Sequence, residues 1–220
     1  MSVRSLELRA ARHAALADPA RLRVVDALAL GDRSPRELGE RLGLASNLLA
    51  HHLKVLETSG LVERRRSEGD GRRSYVRLVT DAMPTEASDL DIRVPRVLFV
   101  CTANSARSQL AEHVWRAHAA IDAASAGTLP AEGVAPGAVA VAAAHGLDLS
   151  RAHPKTLDDI AQPDDLRITV CDRARESVAS TDLHWSIPDP VRVGTRDAFD
   201  AAFDEISRRI DALLPHVRAA

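Results

Sequence analysis

Residues 101–108 read Cys-Thr-Ala-Asn-Ser-Ala-Arg-Ser and follow the apolar run Arg96-Val-Leu-Phe-Val100. The spacing puts Cys101 at a strand end and Arg107 at the start of a helix that continues through Ser108-Gln-Leu-Ala-Glu-His-Val-Trp115. A strand-to-helix turn of this kind curls its backbone N–H groups around a tetrahedral anion, and the helix adds its positive end. The guanidinium of Arg107 grips two oxygens of such an anion at once. The same field favours the thiolate of Cys101, which is the attacking form of a cysteine. The candidate oxyanion-binding residues are therefore Thr102, Ala103, Asn104, Ser105, Ala106, Arg107 and Ser108, with Cys101 as nucleophile at their centre.

This segment resembles the catalytic loop of low-molecular-weight protein tyrosine phosphatases. It resembles still more the thioredoxin-coupled arsenate reductases of the same fold. The likeness runs from Arg96 to about Leu214. It implies that Cys101 attacks, Arg107 binds the oxyanion, Asn104 holds the loop in shape and the Ser108 hydroxyl supports the thiolate. A second shared element is His184-Trp-Ser-Ile-Pro-Asp-Pro190, where the resemblance makes Asp189 the general acid.

Cys171 ends the apolar run Ile168-Thr-Val-Cys171. In the reductases a cysteine at the matching position attacks the thiolate–arsenic adduct, and a third cysteine then carries the disulfide to the surface. Here that third position is Val178. Two roles stay open for Cys171. As a resolving thiol it would form a disulfide with Cys101, which an external system must reduce. As a small core residue it would leave a low-molecular-weight thiol to complete the reaction at Cys101. The implied external reductant is thioredoxin, glutaredoxin or a low-molecular-weight thiol, with no bound cofactor and no metal. After Asp189-Pro190 the sequence Val191-Arg-Val-Gly-Thr195 lacks the aromatic residues with which the phosphatases hold a phenyl ring. Aromatics are only 3% of the chain and Tyr75 is its sole tyrosine. Gln109, after the loop serine, also matches the reductases better. The site reads as built for arsenate or a phosphate-like oxyanion.

The elements that must position these residues alternate. Strands are predicted at Val97–Cys101, Ala123–Gly127, Arg167–Cys171 and Leu183–Ile187. Helices are predicted from the loop to about His118, at Pro136–His145, Arg173–Ala179 and Asp197–Leu214. Phe199, Ala202, Phe203, Ile206 and Ile210 fall on one face of the last. Such alternation predicts a parallel sheet with helices on both sides, and the resemblance implies a three-layer α/β domain of the phosphatase type.

The chain has 220 residues, 45% hydrophobic and 27% charged, enough for one large domain or two modest ones. Two cysteines point to thiol chemistry in a reducing compartment rather than a disulfide framework. Asp18 and Asp26 interrupt any apolar stretch near the N-terminus, and no run approaches membrane-spanning length. A cytoplasmic protein without a membrane partner is expected. The net charge of −2 hides an asymmetry. Residues 1–80 carry 15 Lys+Arg against 10 Asp+Glu, and the remainder 14 against 21. The first part thus has the basic bias that suits a polyanion. Residues 81–95 are polar and acidic with no sustained period, and read as a linker between domains at 1–80 and 96–220.

Helical stretches are predicted from Leu6 to Leu16 and after Asp18-Pro19, a cap followed by a proline at the first helical position. Ser34-Pro-Arg-Glu37 is a capping box, and Gly43 stops the helix it opens. A further helix runs from about Ser46 to Thr58. Leu61–Arg66 and Arg72–Val79 alternate as strands around the turn Glu68-Gly-Asp-Gly71. Helix-turn-helix followed by a hairpin is a winged helix. Over residues 8–80 this part resembles the ArsR family of winged-helix repressors, through Ala15-Leu-Ala-Asp-Pro-Ala-Arg-Leu-Arg23 and His51-His-Leu-Lys-Val-Leu-Glu-Thr-Ser-Gly-Leu-Val62. The resemblance implies a homodimer on double-stranded DNA, with the second helix in the major groove. Leu49, Leu53 and Leu56 form that helix's apolar stripe. Asn47, Ala50, His51 and Lys54 lie opposite, toward bases and phosphates, and Arg72 and Arg73 of the wing reach the backbone or minor groove. The arsenic-sensing members carry a cysteine pair on the helix that here reads Pro35–Leu42, and residues 1–100 contain no cysteine. His51 and His52 point to different helix faces, which argues against a metal site made from both.

The sequence is thus read as a DNA-binding regulator fused to a thiol-dependent arsenate reductase. The alternatives are a transcription factor whose second domain senses an oxyanion without turnover, and a low-molecular-weight phosphatase.

Overall fold

The computed structural model describes residues 3–79 and 91–220. They divide into two compact units, one of residues 3–67 and 71–79, the other of residues 68–70 and 91–220. In the first, helices α1 (Val3–Leu16), α2 (Pro19–Leu28), α3 (Pro35–Leu42) and α4 (Ser46–Thr58) precede a hairpin. The helix starts follow the caps. The Asp18 carboxylate accepts the N–H groups of Ala20 and Arg21 at 2.9 and 3.0 Å. Ser34 and Glu37 close the capping box, with the Ser34 N–H on Glu37 Oε2 at 2.7 Å and the Glu37 N–H on Ser34 Oγ at 3.3 Å. Gly43 ends α3 at φ 66°, a left-handed turn that any Cβ would strain. Leu49, Leu53 and Leu56 of α4 pack with Val24, Val25, Leu28 and Leu38 in one apolar core. Strands β1 (Val62–Arg66) and β2 (Ser74–Leu78) pair antiparallel, Val62 opposite Leu78 and Arg66 opposite Ser74. Arg33 bridges to Val76 and extends the hairpin. This unit is a winged helix.

The second unit opens with β3 (Ile92–Val94) and closes with β8 (Val217–Ala219), which pair in parallel. Between them run β4 (Arg96–Cys101), α5 (Arg107–His118), β5 (Asp122–Gly127), α6 (Pro136–Ala144), α7 (Leu157–Ile160) and β6 (Leu166–Thr169). Then come α8 (Asp172–Ser177), β7 (Leu183–His184), α9 (Pro190–Val193) and α10 (Arg196–Leu213). The main sheet is parallel with strand order β5-β4-β6-β7. The chain leaves β4 toward β5 on one side and later adds β6 on the other. The connections therefore part at the carboxyl end of β4, the crevice where open α/β sheets bind ligands, and Cys101 is its last residue. The Phe99 ring lies 6.1 Å from Trp115 and 5.8 Å from Trp185, all three sealed from solvent. Phe199, Ala202, Phe203, Ile206 and Ile210 are buried, and α10 packs on α5 and α6.

Some boundaries differ from the sequence reading. Residues 92–94, within the segment read as linker, form a strand; three residues are too few to show a period. Residues 81–90 of that segment lie outside the described residues. Cys171 is not on a strand. β6 stops at Thr169, and Cys171 caps α8, its Sγ accepting the Ala174 N–H at 3.4 Å. β7 ends at His184 rather than Ile187, because the Ile187 N–H turns back to the Trp185 carbonyl at 3.0 Å. α7 and α9 were not expected, each being a single turn. Among the described residues no helix is long and apolar enough to cross a membrane.

Glu205 of α10 sits between Arg208 and Arg209, at 2.6 and 2.7 Å. Burial works against its charge. The two arginines outweigh that effect and hold its pKa down to about 2, from an ordinary 4.5. A depressed carboxylate pKa contributes stability above the unfolded value and loses it as pH falls toward the folded one. Glu205→Gln should therefore flatten the fall in melting temperature of the second unit between about pH 5 and about pH 2.5. Parallel curves for both proteins would show that the pair contributes nothing.

Candidate active site

The loop between β4 and α5 directs its carbonyls outward. Those of Cys101, Thr102, Ala103 and Ser105 accept the N–H groups of Thr128, Leu129, Ala131 and Ala135 at 3.1, 2.9, 2.9 and 2.8 Å. The Asn104 carbonyl accepts Gln109 Nε2 at 3.1 Å, and that of Ala106 accepts the Leu110 N–H at 2.9 Å. Every carbonyl from 101 to 106 is thus engaged, that of Ala106 by the first turn of α5. The Asn104 N–H meets Cys101 Sγ at 3.1 Å. Ala106 gives α5 no side-chain cap, and no acidic residue lies in its first turn. The N–H groups of Arg107, Ser108 and Gln109 have no acceptor within the helix. The positive end of α5 is thus open to an anion.

Asn104 ties the loop together. It alone among the described non-glycine residues has positive φ, 48°. Its Oδ1 accepts the Lys155 backbone N–H at 2.8 Å and Gln109 Nε2 at 3.0 Å. A backbone N–H only donates, so the orientation of the amide is fixed. Its Nδ2 donates to Ser108 Oγ at 2.8 Å and Ser125 Oγ at 2.9 Å. Ser108 Oγ, accepting that proton, lies 3.0 Å from Cys101 Sγ, and a thiolate there would take the Ser108 hydroxyl proton. A Cβ at Gly127 would lie 2.6 Å from the Thr102 carbonyl oxygen and 3.1 Å from the Asn104 nitrogen, so only glycine lets β5 approach the loop.

Around this centre the fold gathers residues far apart in sequence. Arg107 is buried, its Nη1 donating to the Ile187 carbonyl at 2.9 Å and its Nη2 meeting Asp189 Oδ2 at 3.0 Å. Burial works against the guanidinium charge. The negative charge available from Cys171, Cys101 and Asp189 as they ionise outweighs it and raises the Arg107 pKa. Asp189 is itself anchored, its Oδ1 accepting the Val191 N–H at 3.1 Å at the start of α9. Cys171 Sγ lies 3.4 Å from Thr102 Oγ1. Burial pushes the Cys171 thiol up, the charge of Cys101 adds to this, and Arg107 opposes both. Both cysteines are buried free thiols. Next in the chain, Asp172 faces His184 Nε2 at 3.2 Å. Burial raises its carboxyl, and hydrogen bonds from His184 and Ser186 bring it below the ordinary value. His184 Nδ1 lies 3.0 Å from Thr169 Oγ1, so the ends of β6 and β7 fix the first turn of α8.

Cys101, Arg107, Asp189 and Cys171 therefore meet. The sequence reading missed Ser125, Glu112 and Lys155. The Ser125 hydroxyl donates to Glu112 Oε2 at 2.6 Å, and Lys155 Nζ meets the same oxygen at 2.9 Å. One signal was available: Glu112 lies one helical turn after Ser108, on the same side of α5. For Lys155 there was none.

In the first unit Asn47, Ala50, His51 and Lys54 are exposed on one side of α4, opposite the buried Leu49, Leu53 and Leu56. Arg72 and Arg73 are exposed in the turn before β2. His52 is buried, its Nδ1 3.9 Å from the Asp18 carboxylate, so the two adjacent histidines do serve different faces.

A family model for low molecular weight phosphotyrosine protein phosphatases matches residues 96–220. A MarR family model matches residues 18–73, which corrects the ArsR label drawn from the motifs. The matched stretch is the helix-turn-helix and the start of the wing, whose apolar spacing specifies the winged helix and not the branch. An arsenate reductase of Halalkalibacterium halodurans is 35% identical over 127 residues, covering 52% of this chain and 91% of that protein. One from Bacillus subtilis is 33% identical over 133 residues, covering 52% and 91%. Among solved structures, an arsenate reductase from Archaeoglobus fulgidus is 35% identical, covers 54% of this chain and 98% of that one, and superposes with a TM-score of 0.48. By the extent of these matches, the chain belongs to the low molecular weight phosphotyrosine protein phosphatase family, with a MarR-type winged helix preceding the family domain.

Proposed function

We propose that this chain is a DNA-binding regulator joined to a thiol-dependent arsenate reductase. The meeting of Cys101, Arg107, Asp189 and Cys171 at the mouth of one oxyanion loop carries the reading. Its relatives named arsenate reductase support the choice of substrate. Arsenate sits in the loop against Arg107 and the open end of α5. The Cys101 sulfur attacks arsenic, an oxygen departs, and Asp189 protonates it as water leaves. Cys171 then attacks the Cys101 sulfur. The S–As bond breaks with its electron pair on arsenic, arsenite leaves, and a Cys101–Cys171 disulfide remains. Two thiols are oxidised and As(V) becomes As(III). An external thiol donor, a thioredoxin, a glutaredoxin or a small thiol, restores both cysteines.

The order of these steps follows from charge. While Cys101 carries its own charge, that charge and burial both keep the Cys171 proton on. Once the Cys101 sulfur is bonded to arsenic, the opposition from that sulfur ends, and of these two only burial still works against Arg107, which favours the Cys171 thiolate. Hydrolysis of a phosphate ester would need only Cys101, Arg107 and Asp189. The first unit would bind double-stranded DNA as a homodimer through Asn47, Ala50, His51 and Lys54, with Arg72 and Arg73 on phosphate or in the minor groove.

Purified protein with arsenate and each thiol donor should release arsenite. Cys101→Ser should abolish this and any aryl phosphatase activity. Cys171→Ser should lose arsenate turnover yet keep ester hydrolysis, and Asp189→Asn should slow both by about 10²-fold or more, the usual size of a general-acid contribution. Wild-type turnover in Cys171→Ser with every donor would reduce Cys171 to a core residue. No arsenite from the wild type would favour an oxyanion sensor.

DNA binding is tested separately. Arg72→Ala with Arg73→Ala should weaken binding to all sequences and reduce its salt slope by up to about 2, near one unit per phosphate contact. Asn47→Ala should relax sequence preference instead. Unchanged affinity and preference in both variants would remove the DNA assignment.

A further inference from the structure

Lys155 touches the loop from outside the motif. Its backbone N–H donates to Asn104 Oδ1 at 2.8 Å, and its carbonyl accepts the Gly127 N–H at 2.8 Å. Its ammonium is 2.9 Å from Glu112 Oε2, with the lysine side chain 21% exposed and the glutamate only 4%. Arg116 Nη1 meets the other carboxylate oxygen at 3.3 Å. An ionised carboxylate only accepts, so Ser125 must give it its single proton, at 2.6 Å. The Ser125 oxygen then accepts from Asn104 Nδ2, whose other hydrogen goes to Ser108. The Ser108 proton remains for Cys101 Sγ. The bonds part at Asn104 Nδ2: one arm runs through Ser125 to the Glu112 carboxylate, the other through Ser108 to the sulfur.

Without the ammonium Glu112 would keep only Arg116, at 3.3 Å and half exposed, and a buried carboxylate short of positive charge is costly and draws a proton. A protonated Glu112 would donate to Ser125, whose own proton would then turn against the Asn104 amide. A Glu112 charge balanced only by Arg116 would also oppose charge on Cys101. Both effects act in one direction. We propose that Lys155 is a positioning residue for the nucleophile: its ammonium pairs Glu112 and so orders the Ser125–Asn104–Ser108 bonds that end on Cys101. The inference rests on Cys101 being the nucleophile, and its test needs no arsenate.

The measurement is the rate of iodoacetamide alkylation at Cys101 against pH, followed by peptide mass spectrometry on the intact chain. Lys155→Met keeps the apolar stem and the backbone bonds. It should slow alkylation at neutral pH roughly tenfold, the factor that one pH unit of displacement gives, and move the profile to higher pH. Lys155→Arg should restore the wild-type profile. Lys155→Met with Glu112→Gln should recover to within about threefold, because glutamine still accepts the Ser125 proton and brings no charge. This double variant also removes the under-compensated buried charge that would endanger the fold of the single one. A Lys155→Met profile coinciding with the wild type would overturn the proposal, as would equal slowing in the single and double variants. Normal alkylation in a protein that reduces no arsenate would instead sink the proposed function and leave this inference standing.

Discussion

The orientation of one amide governs this active site. Asn104 holds a left-handed backbone at a cost of about 1 kcal/mol, and its side chain is read from four sides. Because the Lys155 backbone N–H claims Oδ1, both hydrogens of Nδ2 are committed to Ser108 and Ser125. The Ser108 proton is thereby left for the sulfur. The loop curls as it does because its carbonyls have partners in residues 128–135, and β5 comes close enough only because residue 127 has no side chain. Hydrogen-bond direction, backbone handedness and a missing Cβ all serve the same few ångströms.

Charge supplies the second constraint. A guanidinium buried beside two cysteines and a carboxylate is stable there only as a cation, and it makes each neighbour's ionisation depend on the others. Two thiols in one pocket cannot readily carry charge together. Whichever ionises first raises the barrier for the second, and covalent capture of its sulfur lifts that barrier.

The winged-helix unit follows a simpler logic. Its core is aliphatic, and its one buried histidine faces the cap of α2. The 3.6-residue period of α4 sends Leu49, Leu53 and Leu56 inward and leaves Asn47, Ala50, His51 and Lys54 outside. Residues 1–80 as a whole carry a basic excess, and Lys54 contributes to it on that exposed face.

The sequence by itself determined the parts governed by local rules. Helix starts at Asp18 and Ser34 are written in caps, the stop at Gly43 in its left-handed turn, and the buried faces of α4 and α10 in their periodicity. Cys101 and Arg107 were legible because one loop spaces them, and the alternation of strands and helices placed Cys101 at the end of β4. Tertiary structure decided what depends on strangers meeting. β3 and β8 lie at opposite ends of their unit and are too short to announce themselves. Cys171 proved to be a helix cap and not a strand end, since the apolar run continues past the last paired residue. Asp189 reaches Arg107 only through the turn after β7, and Glu112, Ser125 and Lys155 join Asn104 from three separate elements. No period or motif encodes such contacts, because they depend on the direction of side chains brought together by the sheet order, which pairwise spacing along the chain does not contain.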